Sequence, residues 1–201
     1  MDSIVQCTNT KRYDYMLKNL QKELQSLGSF VVQQSRRNLT KGGYKNKGHN
    51  VTRGLFNSIG YDEDNQNGVY SIEWFMDEYG TFLDKGVKGT KSNYIENKNS
   101  PYSYKNKKPP MQPLADWAKK RNIRLRQYKT VDGEKVPTGK FAKGSYKTIG
   151  FILQKSIFEK GIRPSFFFTK AFNSAIKKYP ELLSKAFAQD ITDIFKDNNN
   201  E

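Results

Sequence analysis

The sequence predicts an α+β fold: a small antiparallel sheet, a hairpin near residues 53–76, packed against a long N-terminal helix and C-terminal helices. Three observations predict it. Apolar residues recur every three or four positions between Leu17 and Val31, alternate with polar Ser71 and Glu73 from Tyr70 to Trp74, and regain helical spacing after Ile149. A chain of 201 residues is long enough for one domain, or for one domain with a large insertion.

The first helix is expected over residues 12–38, with Leu17, Leu20, Leu24, Leu27 and Val31 as its apolar stripe and Lys18, Lys22 and Glu23 off it. Gly28 weakens its middle without ending it. The stretch LTKGGYKNKGHN has no period and reads as a flexible loop. Two short strands are expected next. In TRGLFNSIGYD, Leu55, Asn57, Ile59 and Tyr61 alternate with Phe56, Ser58 and Gly60; in GVYSIEWFMD, Tyr70, Ile72, Trp74 and Met76 share a face. Asn67-Gly68 supplies the turn between them.

The segment EYGTFLDKGVKGT reads as a short helix or turn stopped by Gly86. Residues 87–112 are mostly Lys, Asn, Ser, Tyr and Pro without a period, which reads as a loop or a disordered insertion. Pro113 suits the first turn of a short helix, PLADWAKKRN, with Leu114, Trp117 and Ala118 inward. VDGEKVPTGK reads as a turn-rich link. A helix over 141–160 follows, closed by Gly161, then one N-capped by Ser165, and a last one opened by Pro180 with Leu183, Phe187, Ile191 and Ile194 as its stripe.

Composition narrows the function. Leu, Ile, Val and Phe total 45 residues, just above the roughly 20% of a chain below which burial cannot offset chain entropy. One Cys (Cys7) and one His (His49) exclude a disulfide framework and a zinc site built from Cys and His. The sequence calls for no cofactor. No apolar run approaches the ~18 residues that span a bilayer, and MDSIVQCTNTKRYD lacks the apolar region of a signal peptide. The expectation is a cytosolic or particle-associated protein with no membrane partner.

Charge is unevenly placed. The net charge is +15, and residues 85–147 hold seventeen Lys or Arg against four Asp or Glu, whereas residues 1–84 hold ten of each. Clustered cations release counterions from nucleic acid, so one reading is a surface that meets phosphate; the other is a solvated, Lys- and Asn-rich loop. The residues that would face DNA or an acidic partner are Lys105, Lys107, Lys108, Lys119, Lys120, Arg121, Arg124 and Arg126. With 27 Lys to 8 Arg, any such contact favours point-charge attraction over base reading.

Catalytic constellations do not assemble. His49 has no acid or nucleophile signature near it, Cys7 has no second thiol, and the pairs Glu63/Asp64 and Asp77/Glu78 read as turn and strand-end residues. No phosphate-binding glycine loop occurs; Gly43 to Gly48 comes nearest, with His49 where that loop needs Lys. The expectation is a non-enzyme without a metal. The run Phe166, Phe167 and Phe168 reads as a wedge into a core or interface in preference to a base-stacking platform.

Three short motifs, in order, resemble the neck and tail-completion (head–tail joining) proteins of tailed bacteriophages. The first is Thr52, Gly54, Leu55 and Ser58, with Arg53 standing where the family pattern runs Thr-Gly directly. The second is Tyr79, Gly80, Phe82 and Gly86; the third is Pro164, Phe167, Ala171 and Phe172. The resemblance covers residues 12–86 and 148–195 of a single domain, with 87–147 as a basic, loop-rich insertion outside it. It implies a structural role in the virion neck or tail, assembled in the bacterial host cytoplasm. The implied assembly is a homo-oligomeric ring of roughly six or twelve copies, touching portal or other neck proteins and tail proteins, with DNA passing through. It carries no catalytic residues. The alternative from the residues alone is a non-specific nucleic-acid-binding protein using the basic 87–147 segment.

Overall fold

The computed structural model describes residues 17–41, 53–66, 69–91, 94–142 and 144–198. Helix α1 (Lys18–Lys41) and the short α2 (Gly54–Ser58) lead into strands β1 (Gly60–Gln66) and β2 (Val69–Phe75). After them come α3 (Tyr79–Lys85), β3 (Val87–Lys88), a 3₁₀ turn (Ile95–Asn97), α4 (Met111–Lys120), β4 (Arg126–Val131), β5 (Glu134–Phe141), α5 (Tyr146–Lys160), β6 (Gly161–Ile162) and α6 (Phe167–Asn198). The strands pair antiparallel in three two-stranded sheets, β1–β2, β3–β6 and β4–β5. The α+β class expected from the sequence is the one observed. The chain divides into two units: Glu78–Phe166, and Met1–Asp77 together with Phe167–Glu201.

In the unit built from the two ends, α1 packs along α6. Val31, Ala175 and Tyr179 form its buried centre, with Leu27, Phe30, Trp74, Phe168, Leu182 and Leu183 against it. The N-terminus of α1 is capped from α6: the Asp190 carboxylate accepts from the Asn19 N–H at 3.0 Å and the Leu20 N–H at 2.8 Å. An anion there satisfies first-turn donors and faces the positive end of the helix dipole. Gly28 has a packing reason. The Tyr61 ring of β1 lies where a Cβ would project, and Trp74 Nε1 donates to the Gly28 carbonyl at 3.4 Å. The hairpin therefore sits directly on the α1 backbone, and burial alternates along β2 as expected, with Tyr70, Ile72 and Trp74 inward. The expected turn residues Asn67 and Gly68 lie outside the described residues.

Three expectations in this unit are corrected. Residues 54–58 form a helical turn, so the strand begins only at Gly60. The cause is tertiary: Arg36 of α1 donates to the Phe56 and Ile59 carbonyls, each at 2.9 Å, satisfying the end of that turn. Pro180 does not open a helix but lies inside the continuous α6. Pro180 and Ile176 are both exposed, so the carbonyl that proline leaves unpaired is on the solvent side. Phe187, expected in the stripe, is 47% exposed.

In the Glu78–Phe166 unit, α4 packs on α5 through Ala115, Ala118, Ile149 and Gly150. Ala115 and Ala118 are the buried positions of α4; Trp117, expected inward, is exposed beneath Arg121. Ser145 caps α5 by accepting from the Thr148 N–H. Ser165 caps no helix, because its hydroxyl and N–H both donate to the Leu83 carbonyl at 2.9 Å. The first part of the segment read as a loop is tied back on itself. Lys88 N–H donates to the Tyr102 carbonyl and Tyr104 N–H to the Lys88 carbonyl, each at 2.9 Å. The link VDGEKVPTGK is the turn and second strand of the β4–β5 hairpin: Asp132 and Gly133 both take positive φ, 51° and 81°, the mirror-image turn that suits strand twist.

Candidate functional site

The second and third motif segments meet within the Glu78–Phe166 unit. Tyr79 and Gly80 open α3, and Gly86 ends it at φ 72°. A Cβ on Gly86 would lie 2.6 Å from Asn97 Oδ1, 2.7 Å from the Ile162 carbonyl oxygen and 2.9 Å from Pro164 Cδ, so only glycine fits. The Ser165 and Phe166 N–H groups donate to the Leu83 and Asp84 carbonyls at 2.9 and 3.0 Å. Asn97, fully buried, donates from Nδ2 to the Val87 and Ile162 carbonyls, both at 2.8 Å, and so fastens β3 to β6. Ser100 Oγ donates to the Gly86 carbonyl at 2.7 Å.

In the other unit, Phe167 and Ala171 are buried in α6, and Phe172 meets Trp74 edge-on with centroids 5.6 Å apart. The packing reading of the phenylalanine run holds for Phe167, which is 1% exposed. Leu55 is buried, Gly54 starts α2, and Ser58 Oγ donates to the Leu55 carbonyl and accepts from the Asp77 N–H. Thr52, His49 and Cys7 lie outside the described residues.

Beside the motif junction lies an open pocket of about 570 Å³, walled by Tyr79, Phe82, Tyr102, Tyr104 and Ile162, with Lys105 at its edge. Phe82 and Tyr102 meet edge-on at 4.6 Å. Partial burial raises the Tyr104 phenol above its ordinary value. Tyr79 is half exposed.

All eight basic residues singled out in the sequence are exposed. They sit on three consecutive pieces of the unit: Lys105, Lys107 and Lys108 on the stretch before α4, Lys119, Lys120 and Arg121 at its C-terminal end, and Arg124 and Arg126 leading into β4. Lys108 and Arg124 lie over the Phe158 and Phe141 rings, at 5.8 and 5.7 Å. Among the described residues, Lys105, Lys107, Lys119 and Lys120 have no carboxylate partner. Two acidic groups of this unit pair with other cations: Glu96 is bound by Arg163 and Glu159 by Lys91, and each glutamate is held below its usual value chiefly by that hydrogen bond.

Among the described residues, no three His, Cys, Asp or Glu side chains gather to hold a metal, and no helix is long and apolar enough to cross a membrane. Sequence reasoning missed the roles of Asn97 and Ser100. Asn97 acts on carbonyls 10 and 65 residues away, and no periodicity or spacing signals such a contact. Comparison with protein-family models, curated proteins and solved structures finds no match to this chain.

Proposed function

We propose that this chain is a structural virion protein of a tailed bacteriophage, a ring subunit of the head–tail connector or a tail-completion protein through which DNA passes. The observation that carries the reading is the junction of two motif segments about 80 residues apart. Gly86 and Pro164 are in contact range, and the Leu83 and Asp84 carbonyls accept from Ser165 and Phe166. One quoted residue of each motif, Gly86 and Pro164, thus meets the other, and the backbone beside them is hydrogen-bonded across the same corner.

Exposed apolar side chains add support for assembly. Val69, Tyr79, Ile95, Ile176 and Phe195 are each more than half exposed, and a subunit that buries such groups against neighbours gains stability from association. The partners are further copies of the chain in a ring of roughly six or twelve, the portal or other neck proteins, and tail proteins, with non-specific contact to genomic DNA. Quantitative mass spectrometry of purified particles, counted against the capsid protein, tests this. About six or twelve copies per particle are expected; abundance in the lysate with absence from particles would sink the reading.

A further inference from the structure

The chain carries two exposed surfaces of opposite sign. Residues 60–76, which include β1 and β2, hold four carboxylates and no Lys or Arg. Asp62, Glu63 and Asp64 are exposed on β1 and have no cationic partner among the described residues. Val69, the first residue of β2, is 68% exposed. The pocket beside α3 has the converse chemistry: aromatic walls, a half-exposed tyrosine at Tyr79, and Lys105 at the edge, with Lys107 and Lys108 following in the chain.

We propose that the aromatic pocket of one copy receives the β1–β2 hairpin of a second copy, Val69 entering the pocket while Asp62 and Asp64, on the same face of the hairpin, meet Lys105, Lys107 and Lys108. The inference rests on the ring reading and names the contact that would build the ring. Charge decides the geometry. A self-complementary dimer that matched hairpin to hairpin would oppose like charges, and so would one that matched pocket to pocket. Matching hairpin to pocket pairs opposite charges and uses two different patches of each copy. Such a heterologous contact leaves one patch of each kind open at the ends, so it repeats from copy to copy and closes only as a ring. Burial of Val69 and the aromatic walls would supply the apolar part.

Cross-linking between two single-cysteine forms of the full chain tests the contact. Cys7→Ser provides the background; one form then carries Val69→Cys and the other Tyr79→Cys, both at exposed positions that leave the cores alone. A short bis-maleimide is expected to give covalent dimers in the mixture and few in either form alone. The yield should fall at about 1 M salt, where the screening length is about 3 Å. Reversing the hairpin charges (Asp62→Lys, Asp64→Lys) should lower the mixed product about tenfold. Reversing Lys105, Lys107 and Lys108 to Glu in the other form should restore it.

A mixture that gives no more product than its components overturns the proposal. If particles nevertheless hold a ring's copy number, the ring reading stands and only this interface is lost. Binding of duplex DNA by the unmodified chain, with no mixed cross-link in its absence, assigns the lysines to nucleic acid and also overturns it.

Discussion

The chain contains two β-hairpins of similar length, and they are built on opposite terms. In β1–β2 one face is inside: Tyr61 lies on Gly28, its hydroxyl is 3.0 Å from Ser29 Oγ, and Trp74 reaches the Gly28 carbonyl and the edge of Phe172. In β4–β5 every residue but Thr138 is exposed, on both faces. The first hairpin is held by what it packs against; the second by its own ladder and turn. A two-stranded ribbon alone is marginal in water, so the mirror-image turn at Asp132-Gly133 carries more weight in the second than any turn could in the first. The difference is also one of charge, since β1–β2 is acidic and β4–β5 lies in the basic segment.

Trp74→Ala removes a half-buried aromatic that joins the hairpin to both α1 and α6, and should lower unfolding stability by about 2–3 kcal/mol. Tyr128→Ala, on β4, removes a ring that is 56% exposed and should cost less than about 0.5 kcal/mol. Urea unfolding of both variants measures the contrast. Equal losses would mean that β4–β5 is packed against something as β1–β2 is.

The two hairpins also explain what could be read from the sequence. The β2 strand was legible because burial on one face imposes alternation, and Tyr70, Ile72 and Trp74 show it. The β4–β5 ribbon was not, because a strand with no buried face has no reason to alternate. Asp132-Gly133 marks a turn there, but nothing around it marks the strands. The helical turn at 54–58 was misread as strand because its end is satisfied by Arg36, twenty residues upstream. Likewise Asp190 caps α1 from the far end of the chain, and α6 runs through Pro180, which local rules place at a helix start. The basic residues were found by counting charge. The pocket beside them was not, because its walls come from α3, from the 101–104 stretch and from β6.

The turn of the second hairpin is open to substitution. Gly133 stands at φ 81° with nothing within 4 Å of a would-be Cβ, so Gly133→Val meets no steric obstacle beyond its own backbone. A β-branched residue in the left-handed region costs about 1–2 kcal/mol. Because every residue of the ribbon but Thr138 is exposed, that cost should appear as local opening. Amide exchange between Gln127 and Lys140 should accelerate about tenfold while the urea midpoint stays in place. A shift of the midpoint by the full amount would show that the ribbon unfolds only with the rest, and the contrast with β1–β2 would then narrow.

The smallest effect separates the ribbon from its neighbours in the same unit. Glu96 and Glu159 fasten the 87–104 segment through Arg163 and Lys91, and both carboxyls are held below the usual glutamate value by those bonds. A depressed folded pKa contributes stability that is present above the unfolded value and is lost as pH falls through the lowered folded one. Acidification across that window should therefore loosen amides near Thr90 and Asn97, modestly, since exposed ion pairs are weak. Neither glutamate touches β4 or β5, so exchange there, corrected for intrinsic rate, should not follow. Arg163→Met and Lys91→Met should remove the acid response at the segment and leave the ribbon unchanged. If the ribbon loosened in step with the segment, it would be drawing support from the body of its unit, and its stability could no longer be assigned to ladder and turn alone.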